Sequence, residues 1–375
     1  MPDYTKIHHD AIVADLHCDS IHQIKRGYDF FTENKNYHID LPRLKKGGVN
    51  LQIFALYLDP STAASDRFSR VDSLLTVLKN SFIDREEIAF CQTYQDIKNA
   101  YHTNKIAALA AIENGMAIEN SLEKLEYFSS QGIIYMTLTH TKSLDWCSSS
   151  SDKHSDKFGL TDFGIDVIKR MNALKMIVDV SHISVKAFHD VITHSSTPIL
   201  ASHSNAHALC GHDRNLNDVQ LKSLADNGGL VGMNFCPVFL SEKLNQASEK
   251  FLKENAEESK NAMLPFTSET DEEKYQKTLK EFDPYFSEWK KAVEPFAVSI
   301  STVCDHIDYI GNLIGVDHIA LGSDFDGILD TPTDLEDVSK IPLITKELLR
   351  RNYTESDVEK ILGKNFLRFF QTVTT

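Results

Sequence analysis

The strongest constraint on the fold is a series of eight short apolar runs, most of them followed by helical periodicity. Many runs are apolar at consecutive positions, as strands buried on both faces of a parallel sheet tend to be. The predicted strands are residues 11–16, 49–56, 106–112, 133–138, 176–180, 198–201, 230–235 and 318–321, with helices at 69–81, 92–102, 122–130, 162–174, 185–193, 217–225 and 296–313. This pattern predicts an α/β fold, a (β/α)8 TIM barrel. A doubly wound sheet is the alternative, but it would bring fewer strand ends to one site.

One stretch, residues 176–204, contains the same unit twice. The apolar run MIVDV leads into Ser181-His182, and the run PILA leads into Ser202-His203. Ser184 is placed to cap the predicted helix between them. Two parallel strands joined by a helix bring both histidines to the same end of the sheet, where α/β folds place their chemistry. A single histidine at a strand end is commonly a satisfied core residue, whereas the repeated pair indicates a site.

Metal-binding types of side chain also follow other predicted strands. His17 and Asp19 follow the first, Glu113 the third, His140 the fourth and Asp324 the eighth. All of them would lie at the rim of a barrel where catalytic residues are found. The sequence therefore predicts one shared site.

The mixture of imidazole and carboxylate predicts a metal centre. His17 and Asp19 are two residues apart, so in an extended chain they project to one side and can hold one cation. His182 and His203 supply two imidazoles for a second, and Glu113 can bridge the pair. These ligands suit Zn²⁺ best, with Mn²⁺, Co²⁺ or Fe²⁺ as substitutes. No closed set of four thiolates is present, which favours a catalytic site over a structural zinc.

Composition and charge narrow the class of protein. With 42% hydrophobic residues, a chain of 375 residues can bury a large core. The formal net charge of −15, without a basic stripe, argues against a nucleic acid or an anionic membrane as partner. No apolar run approaches the ~20 residues of a spanning helix, and the N-terminus lacks the shape of a signal peptide, so we expect a cytoplasmic protein. Six cysteines without C-x-x-C spacing indicate reduced thiols.

We predict a single barrel domain over residues 1–375, because no second domain boundary can be identified. Residues 241–294 are polar and rich in Glu and Lys, which predicts an exposed helical insertion before the last strand. A lid, a dimer surface or a solvated excursion would each have this composition. Residues 34–48 have no strong period and are expected to form a loop.

The ordered set of motifs resembles the renal (membrane) dipeptidase family of zinc peptidases, peptidase family M19, in its bacterial, soluble form, over residues 15 to 370. The matching pieces are His17-x-Asp19, Glu113, Leu138-Thr139-His140, Val180-Ser181-His182, Ser202-His203-Ser204, Arg214-Asn215, Asn234-Phe235 and GSDFDG at 322–327. Each piece alone is weak, whereas the ordered set is highly specific.

The resemblance implies a binuclear zinc barrel that hydrolyses dipeptides, including some with a C-terminal D-residue, through a hydroxide held between two zinc ions. It assigns His17, Asp19 and Glu113 to one ion, and Glu113, His182 and His203 to the other. His140 would stabilise the oxyanion, Asp324 would transfer the proton, and Arg214 would hold the substrate carboxylate. A homodimer is implied by the same analogy.

Some features leave alternatives open. A related amidohydrolase or lactonase on the same barrel would act on N-acyl amino acids or lactones, and a non-catalytic metal-binding barrel is a third hypothesis. The His-x-Asp pattern with Glu113 favours the peptidase over amidohydrolases, which usually begin with His-x-His. Departures from the family pattern at Asn114 and at residues 141–147 are expected to shape the substrate rim. Asp15 and Asp326 are expected to support the site from behind or to lie in a loop.

Overall fold

A closed barrel of parallel strands forms the centre of the computed structural model, which describes residues 3–153, 157–259 and 272–375. The strands in these ranges are β1 (Val13–Cys18), β2 (Val49–Tyr57), β3 (Ile88–Phe90), β4 (Ile106–Glu113), β5 (Ile133–Thr137), β6 (Ile177–Asp179), β7 (Leu200–Ala201), β8 (Leu230–Met233) and β9 (Ile319–Leu321). The pairings follow chain order from β4 to β9, then β1 and β2, and β2 pairs with β4 to close the ring. The predicted eight-stranded TIM-type barrel is confirmed.

The additional strand, β3, was not predicted. It pairs with the first residues of β4, Ile106 to Ala108, while β5 pairs with β4 from Ala110 onward. Because β2 occupies the other edge of β4, β3 and β5 share one edge and β3 stands outside the ring. A three-residue strand is too short to show a period in sequence, so only the pairing with β4 defines it.

Helices surround the barrel, and each predicted helix begins and ends within four residues of an observed one. The α-helices of the described residues are Tyr4–Asp10, Ile21–Lys25, Leu41–Lys46, Arg67–Phe82, Tyr94–His102, Leu122–Ser130, Asp162–Ala173, Val185–His194, Asp218–Asp226, Pro237–Leu240, Glu242–Glu254, Glu272–Val293, Ile300–Ile314, Pro342–Arg350, Glu355–Glu359 and Asn365–Thr374. Ser184 Oγ accepts the Ala187 backbone N–H, which confirms the predicted cap. None of these helices combines the length and apolarity needed to cross a lipid bilayer.

Two predictions of local structure were wrong in detail. Residues 34–48, expected as a loop, contain the helix Leu41–Lys46, which Asp40 caps through the Arg43 backbone N–H. Pro42 in the first turn favours the start of a helix, although the stretch shows no helical periodicity of apolar residues. The sixth predicted strand, expected from Pro198, begins at Leu200, since proline has no N–H to pair.

The segment 241–294, predicted as a helical insertion, contains the helices Glu242–Glu254 and Glu272–Val293. Residues 260–271, which belong to the same prediction, lie outside the described part of the chain. The two helices contact each other where Trp289 Nε1 donates to Ser248 Oγ at 3.0 Å. Lys290 pairs with Asp330 at 3.4 Å, beyond the end of β9. The end of the helix Glu272–Val293 therefore lies beside the loop that follows β9, at the rim of the barrel.

The core has two layers, and the inner layer includes the helix that closes one end of the barrel. One layer lies between the strands and the surrounding helices, and the other fills the barrel interior. Phe366 and Phe370 of the last helix belong to the interior layer. Gly363, two residues before this helix, approaches Ile12 at the start of β1. The C-terminal segment therefore closes the amino ends of the strands. Polar side chains collect at the opposite, carboxyl ends.

Candidate active site

Glu113, the last residue of β4, lies at the centre of a buried cluster of histidines. Its Oε2 atom lies 3.5 Å from His17 Nε2. Its Oε1 atom lies 3.1 Å from His182 Nε2 and 3.6 Å from His203 Nε2. His140 Nε2 lies 3.7 Å from the same Oε1. The histidines are thus divided between the two carboxylate oxygens, one on one side and three on the other.

A second acidic group lies on the His17 side. Asp19 Oδ2 is 3.8 Å from His17 Nε2, and His17, Asp19 and Asp324 can place one ligand atom each within 4.8 Å of one another. Gly327 allows this approach, since a Cβ there would lie 2.2 Å from Asp19 Oδ2 and 2.8 Å from Asp324 Oδ1. The structure therefore brings together all the predicted ligands, and His17 lies inside β1 rather than after it.

The nitrogen atoms of the cluster lie so close together that a bound cation would stabilise them. His182 Nε2 and His203 Nε2 are only 2.9 Å apart, and two imidazole lone pairs at that distance require a proton or a cation between them. His17 Nε2 is buried without a hydrogen-bond partner in the described ranges. Imidazole nitrogens and carboxylate oxygens are the donors that zinc takes in catalytic sites. The donor set and its unpaired atom both fit a metal centre.

The electrostatics of the cluster agree with this fit. Burial raises the pKa of Glu113, but the neighbouring His17 and His182 outweigh it and hold that pKa well below the usual range. Burial lowers the pKa of His203, as it does that of His182, where Arg214 adds to the effect. An ionised bridging carboxylate and neutral imidazoles are the forms that bind metal. His17 differs from His182 and His203, because burial lowers its pKa but Glu113 and Asp19 outweigh burial and raise that pKa to about 10, so this imidazole must release a proton when it binds a cation.

Asp324 and Arg214 lie beside the cluster. Asn234 Nδ2 donates to Asp324 Oδ2 at 2.9 Å. Burial, with help from Glu113, raises the pKa of Asp324 to about 6. Arg214 Nη2 donates to the His203 carbonyl at 3.0 Å, while its buried Nε and Nη1 find no acceptor in the parts of the chain that are described. The Nε and Nη1 atoms of Arg214 carry three N–H groups, which are therefore available to bind an anionic ligand.

Backbone strain marks the same region. Asn114, His182 and Asp324 have φ angles of 90°, 69° and 62°, in the left-handed region that residues other than glycine rarely adopt. Such conformations persist where the surrounding contacts hold them, and they concentrate at functional sites. Asn114 is held by such a contact, because its Nδ2 donates to the Leu58 carbonyl at 2.9 Å.

The two departures from the family pattern differ in role. Asn114 is buried and ties the end of β4 to Leu58, so it supports the backbone beside Glu113. Trp146 is also buried, and its ring lies so close to Gly115 that a Cβ there would approach it to 2.9 Å. Asn114 therefore holds the backbone beside Glu113, whereas Trp146 packs behind Gly115. Cys147 is buried as well, so residues 141–145 are the part of this stretch that reaches the surface.

Asp15 and Asp326 do not join the metal cluster. Asp15 accepts from the Ser323 backbone N–H at 2.8 Å, from Ser323 Oγ at 2.6 Å and from Gln52 Nε2 at 2.9 Å. Asp326 accepts from Ser20 Oγ and from the His38 backbone N–H. Both carboxylates are therefore engaged by neighbours outside the metal cluster, and their supporting role stays a prediction.

Sequence reasoning missed several residues around the histidines. The Tyr57 ring lies 4.7 Å from the His140 ring, and the hydroxyl of Tyr135 lies 2.9 Å from His17 Nδ1. Ser202 Oγ lies 2.7 Å from His203 Nδ1 and donates to Asp179. Tyr135 and Asp179 sit inside apolar runs, where nothing in the sequence distinguishes them from core residues. Only the Ser-His repeat hinted at Ser202.

Comparisons with known proteins identify the family. The profile of the membrane dipeptidase family, peptidase family M19, matches residues 1–375. Dipeptidase tcpJ of Claviceps purpurea is 29% identical over 378 residues, which cover 96% of this chain and 76% of that protein. The probable dipeptidase PvdM of Pseudomonas aeruginosa has the same fold, with a TM-score of 0.81 at 21% identity over 99% of this chain and 97% of that one. A Rhodobacter sphaeroides metallopeptidase, solved with a phosphinate mimic of L-Ala-D-Ala, has a TM-score of 0.77 at 22% identity, covering 97% of this chain and 100% of that one. The chain belongs to peptidase family M19 and is a dipeptidase.

Proposed function

We propose that this dipeptidase uses two metal ions bridged by Glu113. The observation that carries the proposal is the division of the histidines between the two carboxylate oxygens, with His17 at Oε2, and His182 and His203 at Oε1. His17 and Asp19 would complete one site, and His182 and His203 the other. Zinc suits the donors best, with Mn²⁺, Co²⁺ or Fe²⁺ as substitutes. When bound, such a pair polarises the peptide carbonyl and lowers the pKa of a water from 15.7 to about 7.

Asp324 is the proposed proton-transfer group. Its Oδ2 is occupied by Asn234, whereas its Oδ1 faces Asp19 and Gly327 at the metal cluster. An oxygen held in this position can accept the proton of the attacking water and deliver it to the amine that leaves. The Asn234 contact fixes the carboxylate plane, so the proton moves at Oδ1.

His140 is the proposed oxyanion donor. Its Nε2 lies 3.7 Å from Glu113 Oε1, too far for a hydrogen bond, so an N–H there is available to substrate. The Tyr57 ring packs against the imidazole and restricts its rotation. A donor fixed in a buried site stabilises the developing negative charge more than solvent water would.

Arg214 is the proposed anchor for the dipeptide's free carboxylate. Its Nη2 is held by the His203 carbonyl, which leaves Nε and Nη1 unpaired toward the site. Guanidinium N–H groups bind carboxylates in a paired, directional geometry. The ligand of the Rhodobacter sphaeroides structure mimics L-Ala-D-Ala, and we extend to this chain the ability to accept a C-terminal D-residue.

A substrate panel tests the function. The zinc-loaded chain should cleave L,L- and L,D-dipeptides but not N-acyl amino acids or lactones. Because Arg214 needs a carboxylate partner, we expect kcat/KM for an amidated dipeptide to fall about 10- to 100-fold, since a hydrogen bond to a charged group contributes roughly 1.5–3 kcal/mol. Equal cleavage of free and amidated dipeptides would remove Arg214 from recognition, and preferred cleavage of lactones would replace the dipeptidase assignment.

Metal analysis tests the bridging role. Elemental analysis of the purified chain should find about two zinc-type ions per chain. Glu113→Gln should lose both, since each site shares that carboxylate, whereas Glu123→Gln on an exposed helix should keep both. One tightly held ion in the unaltered chain would contradict the bridge.

A further inference from the structure

The Nδ1 atoms of two proposed metal ligands each face a hydroxyl oxygen. His203 Nδ1 lies 2.7 Å from Ser202 Oγ, and His17 Nδ1 lies 2.9 Å from Tyr135 Oη. A neutral histidine carries one proton, and the nitrogen without it binds metal. The direction of each hydroxyl bond therefore determines whether Nε2 can serve as a ligand.

Ser202 can only accept from His203. Its single hydroxyl proton is donated to Asp179 Oδ2 at 2.6 Å. The oxygen is then left with lone pairs facing His203 Nδ1, so the proton in that contact comes from the imidazole. His203 consequently carries its proton on Nδ1 and directs a lone pair from Nε2 toward Glu113 and His182.

Asp179 is arranged to receive the Ser202 proton. Its Oδ1 accepts the backbone N–H groups of Ser181 at 3.1 Å and Ser202 at 2.9 Å. Its Oδ2 accepts the hydroxyls of Ser202 and Thr137. Both oxygens are thus occupied as acceptors, and the carboxylate holds no proton that it could give back to Ser202.

Tyr135 orders His17 by the same logic. Its hydroxyl lies 2.9 Å from the Leu16 carbonyl, and two oxygens that close need a proton between them. The carbonyl has none, so the tyrosine donates it. Tyr135 Oη can then only accept from His17 Nδ1, which keeps a proton on Nδ1 and leaves Nε2, the atom that faces Glu113 and Asp19, as the nitrogen that a metal can take.

We propose that Ser202, held by Asp179, and Tyr135, held by the Leu16 carbonyl, are positioning residues that fix His203 and His17 as Nε2 metal ligands. The inference rests on the proposed metal centre and deepens it, because it assigns one hydroxyl to each ion. His182 provides an internal contrast, since its Nδ1 has no partner in the described parts of the chain. The structure sets the tautomer of two histidines by hydroxyl contacts and leaves the third without one.

Metal affinity measured by competition with a chromogenic chelator tests the proposal. Losing a partner that orients a ligand typically weakens metal binding 10- to 100-fold. Ser202→Ala should weaken one of the two ions to this extent, and Tyr135→Phe should weaken the other. The double variant should weaken both.

Two matched controls separate tautomer control from general damage. Thr137→Val removes the other hydroxyl from Asp179 Oδ2 but touches no histidine. Tyr28→Phe removes a buried tyrosine hydroxyl that bonds the Ile39 carbonyl far from the cluster. Both controls should bind two ions with unchanged affinity. Equal weakening in controls and test variants, or unchanged affinity in the test variants, would overturn the proposal.

Nuclear magnetic resonance of the metal-free chain gives a readout that does not depend on metal or activity. With ¹⁵N-labelled histidine at pH 8, where histidine is ordinarily neutral, His203 should show its proton on Nδ1. Ser202→Ala should shift it toward the Nε2–H form, and an Nε2–H form in the unaltered chain would overturn the proposal. Nδ1–H in a chain that takes up no metal would refute the proposed function while supporting the tautomer assignment.

Discussion

Two hydrogen bonds and the backbone conformation hold Asp324 at the edge of the cluster. Its backbone N–H donates to the His17 carbonyl at 3.1 Å, its Oδ2 accepts from Asn234, and its φ of 62° aims the side chain inward. An amide at this position keeps the shape of the carboxylate and the hydrogen bond from Asn234, but it cannot accept a proton. The chemistry of residue 324 can therefore be tested without moving it.

We predict that Asp324→Asn keeps both metal ions and loses kcat by about 10²- to 10⁴-fold, the usual worth of a positioned acid or base. Steady-state kinetics together with elemental analysis measure both quantities. Turnover at the unaltered rate would remove Asp324 from proton transfer. Loss of metal in the variant would instead assign it as a ligand, as its closeness to His17 and Asp19 permits.

His140 can be tested in a similar way, because its ring is held between the rings of Tyr57 and His182. We predict that His140→Ala lowers kcat by roughly 10²- to 10³-fold, as expected for loss of one oxyanion donor. Metal content should stay at two ions, which elemental analysis checks. A loss of one ion would show that His140, grouped with Glu113 and His182 by distance, is a ligand.

Close approach of strands β7, β8 and β9 brings His203 into the cluster. A Cβ at Gly232 would lie 2.1 Å from the Ser202 carbonyl oxygen, and one at Gly322 would lie 1.9 Å from it. Only glycine permits backbones to come this close. Gly232 inside β8 and Gly322 directly after β9 are thus required for this close approach at the barrel rim.

Glycines in the outer elements differ sharply in what a side chain would meet. In the helix Ile300–Ile314, a Cβ at Gly311 would make only ordinary contacts, the nearest at 3.5 Å. We predict that Gly311→Ala raises the free energy of unfolding by about 0.5–1 kcal/mol, because alanine loses less backbone entropy. Thermal or urea unfolding measures the change.

Gly363 provides the contrasting substitution. A Cβ there would lie 2.4 Å from the Ile12 carbonyl oxygen, where the C-terminal segment closes the barrel. Gly363→Ala should therefore destabilise the fold by roughly 1–3 kcal/mol, the usual cost of forcing extra atoms into a packed core. Stabilisation by this variant, or destabilisation by Gly311→Ala, would contradict the packing described for the two elements.

At the scale of the whole molecule, His8 joins the two ends of the chain. Its Nδ1 lies 2.8 Å from Thr345 Oγ1 in the helix Pro342–Arg350, and its Nε2 lies 2.8 Å from the Gly47 carbonyl. Burial lowers the pKa of His8 to about 4, although the Gly47 carbonyl works against it. The native state therefore keeps this histidine neutral well below its ordinary pKa.

This shift predicts acid sensitivity. Between pH 6.5 and 4 the unfolded chain binds a proton at His8 that the native chain does not, so stability rises with pH in this window and is lost as pH falls. A shift of this size corresponds to about 3 kcal/mol at most. Urea unfolding at pH 7 and pH 4.5 should show a smaller pH-dependent loss for His8→Gln than for the unaltered chain.

The sequence by itself determined the alternation of strands and helices and the candidate residues at the strand ends. Both follow from local physics, since buried parallel strands must be apolar throughout and capping residues must precede helices. The order of His17, Glu113, His182 and His203 along the chain was sufficient to predict one shared site. The pairing of β2 with β4 confirmed the closure that this prediction needs.

Only the tertiary structure decided which atoms meet. The division of the histidines between Glu113 Oε1 and Oε2 exists only after the barrel closes. The same is true of the contact between Tyr135 and His17, which are 118 positions apart along the chain. Hydrogen bonds depend on ångström-scale distance and direction, and a linear pattern of residue types contains neither. The sequence therefore proposed the metal ligands, and only the fold shows which of their nitrogen atoms face one another and which face hydroxyl groups.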